Sequence, residues 1–107
     1  HCTAPNGVLV CKPPKKDESV GVATLTPLNL TGFTKMSAEY SGGAIRLGGY
    51  TALNGGWNNA NNPVVGTAAS AASGTVDVNV ADNTDELYVG IGWKTSTIRM
   101  SNLWLEV

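Results

Sequence analysis

The chain has 107 residues, 14% of them charged, and a formal net charge of −1 at neutral pH. That length makes one domain with one modest core. The balance of charge lacks the basic face that nucleic acid or an anionic membrane surface requires, and no apolar run approaches the roughly 20 residues that cross a bilayer. Thirteen glycines and many Asn, Thr and Ser residues favour short strands joined by turns over long amphipathic helices. The chain does not begin with Met and shows no signal peptide, so the reading expects a processed product or a piece of something longer.

Cys2 and Cys11 are the two cysteines, and Pro5-Asn6-Gly7 between them is a strong turn signal. A hairpin there brings the sulfurs together, ties down an arm that would otherwise fray, and implies an oxidising, exported setting. Residues 12–19 are a charged, Pro-containing connector whose three lysines are largely cancelled by Asp17 and Glu18. The reading therefore divides the chain into an arm at 1–19 and a domain at 20–107.

Residues 20–25 form a candidate strand. Leu28, Leu30 and Phe33 follow in a turn and are expected to plug one end of the core; Asn29-Leu30-Thr31 fits the N-glycosylation acceptor pattern. Over residues 34–40, Met36, Ala38 and Tyr40 alternate with Lys35, Ser37 and Glu39, the period of a strand with one buried face. Ser41-Gly42-Gly43 is a turn, and residues 44–47 are a short strand with Arg46 opposite Ile45 and Leu47. Residues 54–63 have no periodicity, which in a loop this long points to function. The Ala-rich residues 67–73 suit one helical turn or an edge strand. Residues 75–107 are the most regular part: Val76, Val78 and Val80 alternate with Asp77 and Asn79, and Leu87, Val89 and Ile91 alternate with Tyr88, Gly90 and Gly92. In the last strand Ile98 and Met100 fall on one phase, Leu103 and Leu105 on the other, a change that a β-bulge at Ser101-Asn102 produces. The expected fold is all-β: an antiparallel β-sandwich, jelly-roll-like, of about seven to eight short strands.

Catalytic chemistry is poorly supplied. His1 is the one histidine, so a Ser-His-Asp or Cys-His arrangement would have to use the chain terminus. An N-terminal histidine resembles the copper brace of lytic polysaccharide monooxygenases, but that brace needs a second histidine. Two cysteines and one histidine within eleven residues do not make a zinc site. Asp82, Asp85 and Glu86 cluster oxygen ligands that suit Ca²⁺, without the spacing of a known calcium loop. Asp77, Glu39 and Glu106 read as solvated strand residues, with no facing pair of the kind glycosidases use. The reading is a non-enzyme without a cofactor.

Aromatic placement carries more. Trp57 lies in Gly-Gly-Trp-Asn-Asn, with no apolar neighbour to bury it, and a large exposed ring there asks for a ligand. Pyranose rings stack on indole, and Asn58 and Asn59 supply donors and acceptors for hydroxyls. Trp93, at a strand end, is a second candidate platform, with Tyr50, Arg46 and Lys94 as further polar contacts. Trp104, between Leu103 and Leu105, is expected to pack in the core or on the sheet.

The segments Glu86-Leu87-Tyr88-Val89-Gly90-Ile91-Gly92 and Ile98-Arg99-Met100-Ser101-Asn102-Leu103-Trp104-Leu105-Glu106 resemble the closing strands of carbohydrate-binding-module-like β-sandwiches, a kind also found in bacteriophage tail and other virion proteins. Leu28-Asn29-Leu30-Thr31-Gly32-Phe33-Thr34-Lys35-Met36 is similar to an early strand of the same domains. The resemblance covers residues 20–107 and implies a non-catalytic domain, extracellular or on a virion surface, that binds a glycan or builds a particle surface. Its partners would be a polysaccharide, or other copies of itself in a parent assembly. The arm has no counterpart in that pattern and reads as a linker or a strap onto a neighbouring subunit.

Overall fold

A computed structural model describes residues 2–12, 19–51, 64–83, 86–94 and 96–107, with Ser19, Val20 and Lys94 described as backbone alone. Ten strands are present among them: β1 (Cys2–Thr3), β2 (Leu9–Cys11), β3 (Ser19–Ala23), β4 (Leu28–Asn29), β5 (Lys35–Ser41), β6 (Ile45–Tyr50), β7 (Val65–Ala69), β8 (Ser73–Asn79), β9 (Glu86–Lys94) and β10 (Ile98–Glu106). The first sheet has the order β1-β2-β10-β5-β8. The second has the order β3-β9-β6-β7, with β4 also pairing β9. All pairings are antiparallel, and the two sheets pack face to face as a β-sandwich.

The alternation read from the sequence explains which side of each strand is buried. Met36, Ala38 and Tyr40 of β5, Val76 and Val78 of β8, Ile45 and Leu47 of β6, and Leu87, Val89, Ile91 and Trp93 of β9 form one core. Each fully buried aliphatic side chain in it contributes about 1.5–3 kcal/mol relative to exposure. Tyr40 keeps its polar end satisfied by donating from Oη to the Ala71 carbonyl (3.0 Å). Leu30 is fully buried and Phe33 packs against the core, while Leu28 is exposed on the short edge strand β4, so two of the three expected plugs close that end. The Ala-rich stretch forms the edge strand β7 and not a helical turn, because pairing with β6 satisfies its backbone where an isolated turn would not.

The arm is a hairpin. Pro5–Gly7 makes a 3₁₀ turn, Cys2 and Cys11 face each other across β1 and β2, and their sulfurs are bonded. Since β2 also pairs β10, and Cys11 is buried in the core, the arm belongs to the first sheet and does not hang free of the domain. Gly42 sits at φ +105° in the β5–β6 turn, a region that L side chains avoid, and its N–H donates to the Ala72 carbonyl (2.9 Å).

In β10 the pairing with β5 shifts between Met100 and Asn102. That is the bulge the sequence places at Ser101-Asn102, and it inverts the strand. Before it, Ile98 and Met100 face the core. After it, Leu105 faces the core, and Trp104 lies beside Ser37 on the opposite side of the sheet.

Candidate functional site

The outer side of the first sheet is a grid set by register. Across β10, β5 and β8, its rows are Arg99–Ser41–Ser73, Asn102–Glu39–Thr75, Trp104–Ser37–Asp77 and Glu106–Lys35–Asn79. Residues directly opposite in antiparallel strands point to the same side, and these alternate with the buried Met36, Ala38, Val76 and Val78. Eleven of the twelve positions are polar or charged; the twelfth is the indole of Trp104, which is partly exposed. Flanking leucines suggest that Trp104 packs in the core or on the sheet, and the structure puts it on the sheet, half-buried beside Ser37 and outside the core. The bulge decides between the two: the phase change turns the leucines to the core side and the indole to the outer side.

Around Trp104 the polar groups are ordered by one another. Ser37 is fully buried between Trp104 and Asp77, and its hydroxyl donates to Asp77 Oδ1 (2.6 Å). Lys35 Nζ lies 2.9 Å from Glu106 Oε2 and 4.0 Å from Asp77 Oδ2. The hydrogen bond to Glu106, and then the charges of Asp77 and Glu106, hold the Lys35 ammonium above its ordinary range. Asn79 Oδ1 accepts from the Ala81 N–H (2.9 Å), which fixes its amide. Thr34, Lys35, Thr67, Asp77, Asn79, Ala81, Glu106 and Val107 line an open groove of about 660 Å³. The arrangement offers an apolar ring face beside hydroxyl, amide and carboxylate groups.

The residues expected from sequence are distributed differently. Trp57, Asn58 and Asn59 lie outside the described residues, as does the side chain of Lys94. Trp93 is 4% exposed and packs in the core, where its ring has no face for a ligand. The reason is its phase: it continues Leu87, Val89 and Ile91 and pairs with Ile45. Its Nε1 finds no acceptor among the described residues. Tyr50 and Arg46 share the outer side of the second sheet, away from Trp93; Arg46 is exposed, and Tyr50 is buried. Burial raises the Tyr50 phenol, and the charge of Arg46 partly offsets this. Asp82 and Glu86 are exposed, Asp85 lies outside the described residues, and no group of three metal-ligating side chains occurs among the described residues.

That second outer side has a different floor. Ala23–Gly90–Gly48–Gly66 and Gly21–Gly92–Arg46–Ala68 are its successive cross-strand rows. Gly48, Gly90 and Tyr50 are buried on this side, while Arg46, Gly66 and Ala68 are exposed and Tyr88 is partly exposed. No protein-family model, no curated protein and no solved structure matches the chain.

Proposed function

We propose that the chain is a non-catalytic carbohydrate-binding or adhesion domain that works at a cell or particle exterior. The observation that carries the reading is the partly exposed Trp104 indole set in a grid of polar side chains on an open sheet face. A pyranose ring placed on the indole meets Asp77 and Glu106, which accept from hydroxyls, and Asn79 and Asn102, which do both. The Trp57, Asn58 and Asn59 segment, proposed on sequence grounds, is a second contact to be tested separately. The Cys2–Cys11 disulfide fits an oxidising setting. The nested pairing of β2 with β10, β3 with β9, β5 with β8 and β6 with β7 supports reading the sandwich as a jelly roll.

The test is titration of the chain with a panel of neutral and acidic polysaccharides, followed by calorimetry and indole fluorescence. Trp104→Ala is expected to weaken binding at least about tenfold, which is about 1.4 kcal/mol. A Trp104→Ala chain that binds as well as the parent, with Trp57→Ala abolishing binding, moves the site to the 52–63 segment. Unchanged binding in both variants overturns the aromatic mechanism.

A second reading, a structural or decoration domain acting through subunit contacts, is favoured by large apolar side chains left on the surface. Leu103 in β10 is 45% exposed and Val107, just beyond the end of the same strand, 93% exposed, and exposed apolar residues near one another are the kind that anchor interfaces.

A further inference from the structure

Strand β10 is central in its sheet for only part of its length. On one side β5 accompanies it from Arg99 to Glu106, but on the other β2 reaches only Ile98, Arg99 and Met100. Beyond Met100 the chain preceding Leu9 turns away through the Pro5–Gly7 turn toward β1. Residues 101–106 thus present an edge with no strand partner among the described residues. Natural edges are usually guarded by lysine, proline or an inward charge. Here Ser101, Asn102, Leu103, Trp104 and Leu105 carry no charge. Leu103, opposite the buried Ala38, points to the core side but is left 45% exposed because no strand lies beside it.

We propose that this edge pairs with the same edge of a second copy, antiparallel about a two-fold axis at Trp104. The register follows from what is free. Residues 102–106 are symmetric about Trp104, so the pairing sets Trp104 against Trp104, Leu103 against Leu105 and Asn102 against Glu106. Centring one residue earlier would set Glu106 against Met100, a position β2 already occupies. In the Trp104 register no like charges face each other and both leucines of each copy are covered. Side chains keep their sides, since 102, 104 and 106 share one phase. The two first sheets become one continuous sheet with an isologous junction.

The pairing stands on edge geometry alone; its functional consequence rests on the glycan reading. Two indoles would lie side by side on one face, each flanked by its own Lys35–Glu106–Asp77 cluster, and two weak sites on one rigid platform gain avidity. One long glycan would then be held across both copies.

The experiment is light scattering on size-separated full chain over about a hundredfold range of concentration, with hydrogen exchange on the same samples. A dimer that forms as concentration rises, with amide protection growing at residues 102–106, is expected. Leu103→Lys should return the mass to that of a monomer, while Leu25→Lys, at an exposed leucine elsewhere, should leave the dimer intact. A monomer at every concentration, or a dimer that survives Leu103→Lys, overturns the proposal. Should Leu103→Lys fail to fold, the exchange measurement on the parent chain decides: a dimer without protection at 102–106 pairs elsewhere. Glycan binding by a strictly monomeric chain would overturn the pairing and leave the Trp104 site standing.

Discussion

The two outer faces of the sandwich are built from opposite materials. The first sheet carries side chains at every outward position of β5, β8 and β10, with one indole among polar groups. The second is floored by Gly21, Gly48, Gly66, Gly90 and Gly92, and its Tyr50 is buried. A face rich in side chains holds its neighbours by local hydrogen bonds and ion pairs and remains a surface. A face without Cβ atoms allows close approach of other atoms; Gly48 and Gly90 are buried at its centre, while Gly66 on the edge strand is exposed. Two sheets of similar length and pairing therefore differ in what they can recognise: the first sets the partly exposed Trp104 indole among charged and polar side chains, whereas the second sets the partly exposed Tyr88 beside a glycine floor.

That contrast can be broken in several places. The first sheet has a covalent tie and the second has none: reducing Cys2–Cys11 should cost about 2–3 kcal/mol by the loop-entropy estimate, measured by denaturant unfolding with and without reductant. A side chain placed on the glycine floor should cost nearly as much. Gly48→Val is expected to destabilise by about 1–3 kcal/mol through overpacking, whereas Thr75→Val on the opposite face should stay within about 0.5 kcal/mol; equal losses would mean the floor is open after all. Lys35→Met should leave the melting temperature nearly unchanged, since its ion pairs lie in solvent, yet it should alter glycan affinity if the groove beside Trp104 is the site.

The smallest effect is on pH. Tyr50 is raised by burial and Lys35 by its carboxylates. For both, the native state holds its proton more tightly than the unfolded chain, so their stabilisation is complete below the ordinary values of 10.0 and 10.5 and is lost as pH rises through the native ones. Unfolding midpoints should hold up to about pH 10 and fall above it. Tyr50→Phe should remove the part that belongs to the second face, and phenolate absorbance reads that titration directly.

Much of the architecture was legible in the letters because strand periodicity is a local property. The two-residue alternation of Met36, Ala38 and Tyr40, of Val76 and Val78, and of Leu87, Val89 and Ile91 states which side is buried before any partner is known. The Cys2–Cys11 hairpin was equally local, set by Pro5-Asn6-Gly7. Even the bulge was visible, as a break in the phase of Ile98, Met100, Leu103 and Leu105. Its consequence for Trp104 was legible too, but two flanking leucines leave packing in the core and on the sheet both open when neighbours in sequence are weighed instead of neighbours across the sheet.

Tertiary structure alone decided which aromatic residues share a side with polar groups. Trp93 ends a strand next to Lys94, a composition that reads as exposed, yet its pairing with Ile45 carries it into the core. Ser37, Asp77, Lys35, Glu106 and Trp104 lie 27 to 71 positions apart in all but two of their pairings, and only the β10-β5-β8 register draws them together around one ring. The open edge at 101–106 is likewise invisible in sequence, because it depends on where β2 stops beside β10. The chain's own alternation determined that there would be a sandwich and which side of each strand it would hide. Strand order, a property of distant segments meeting, decided what the visible sides can bind.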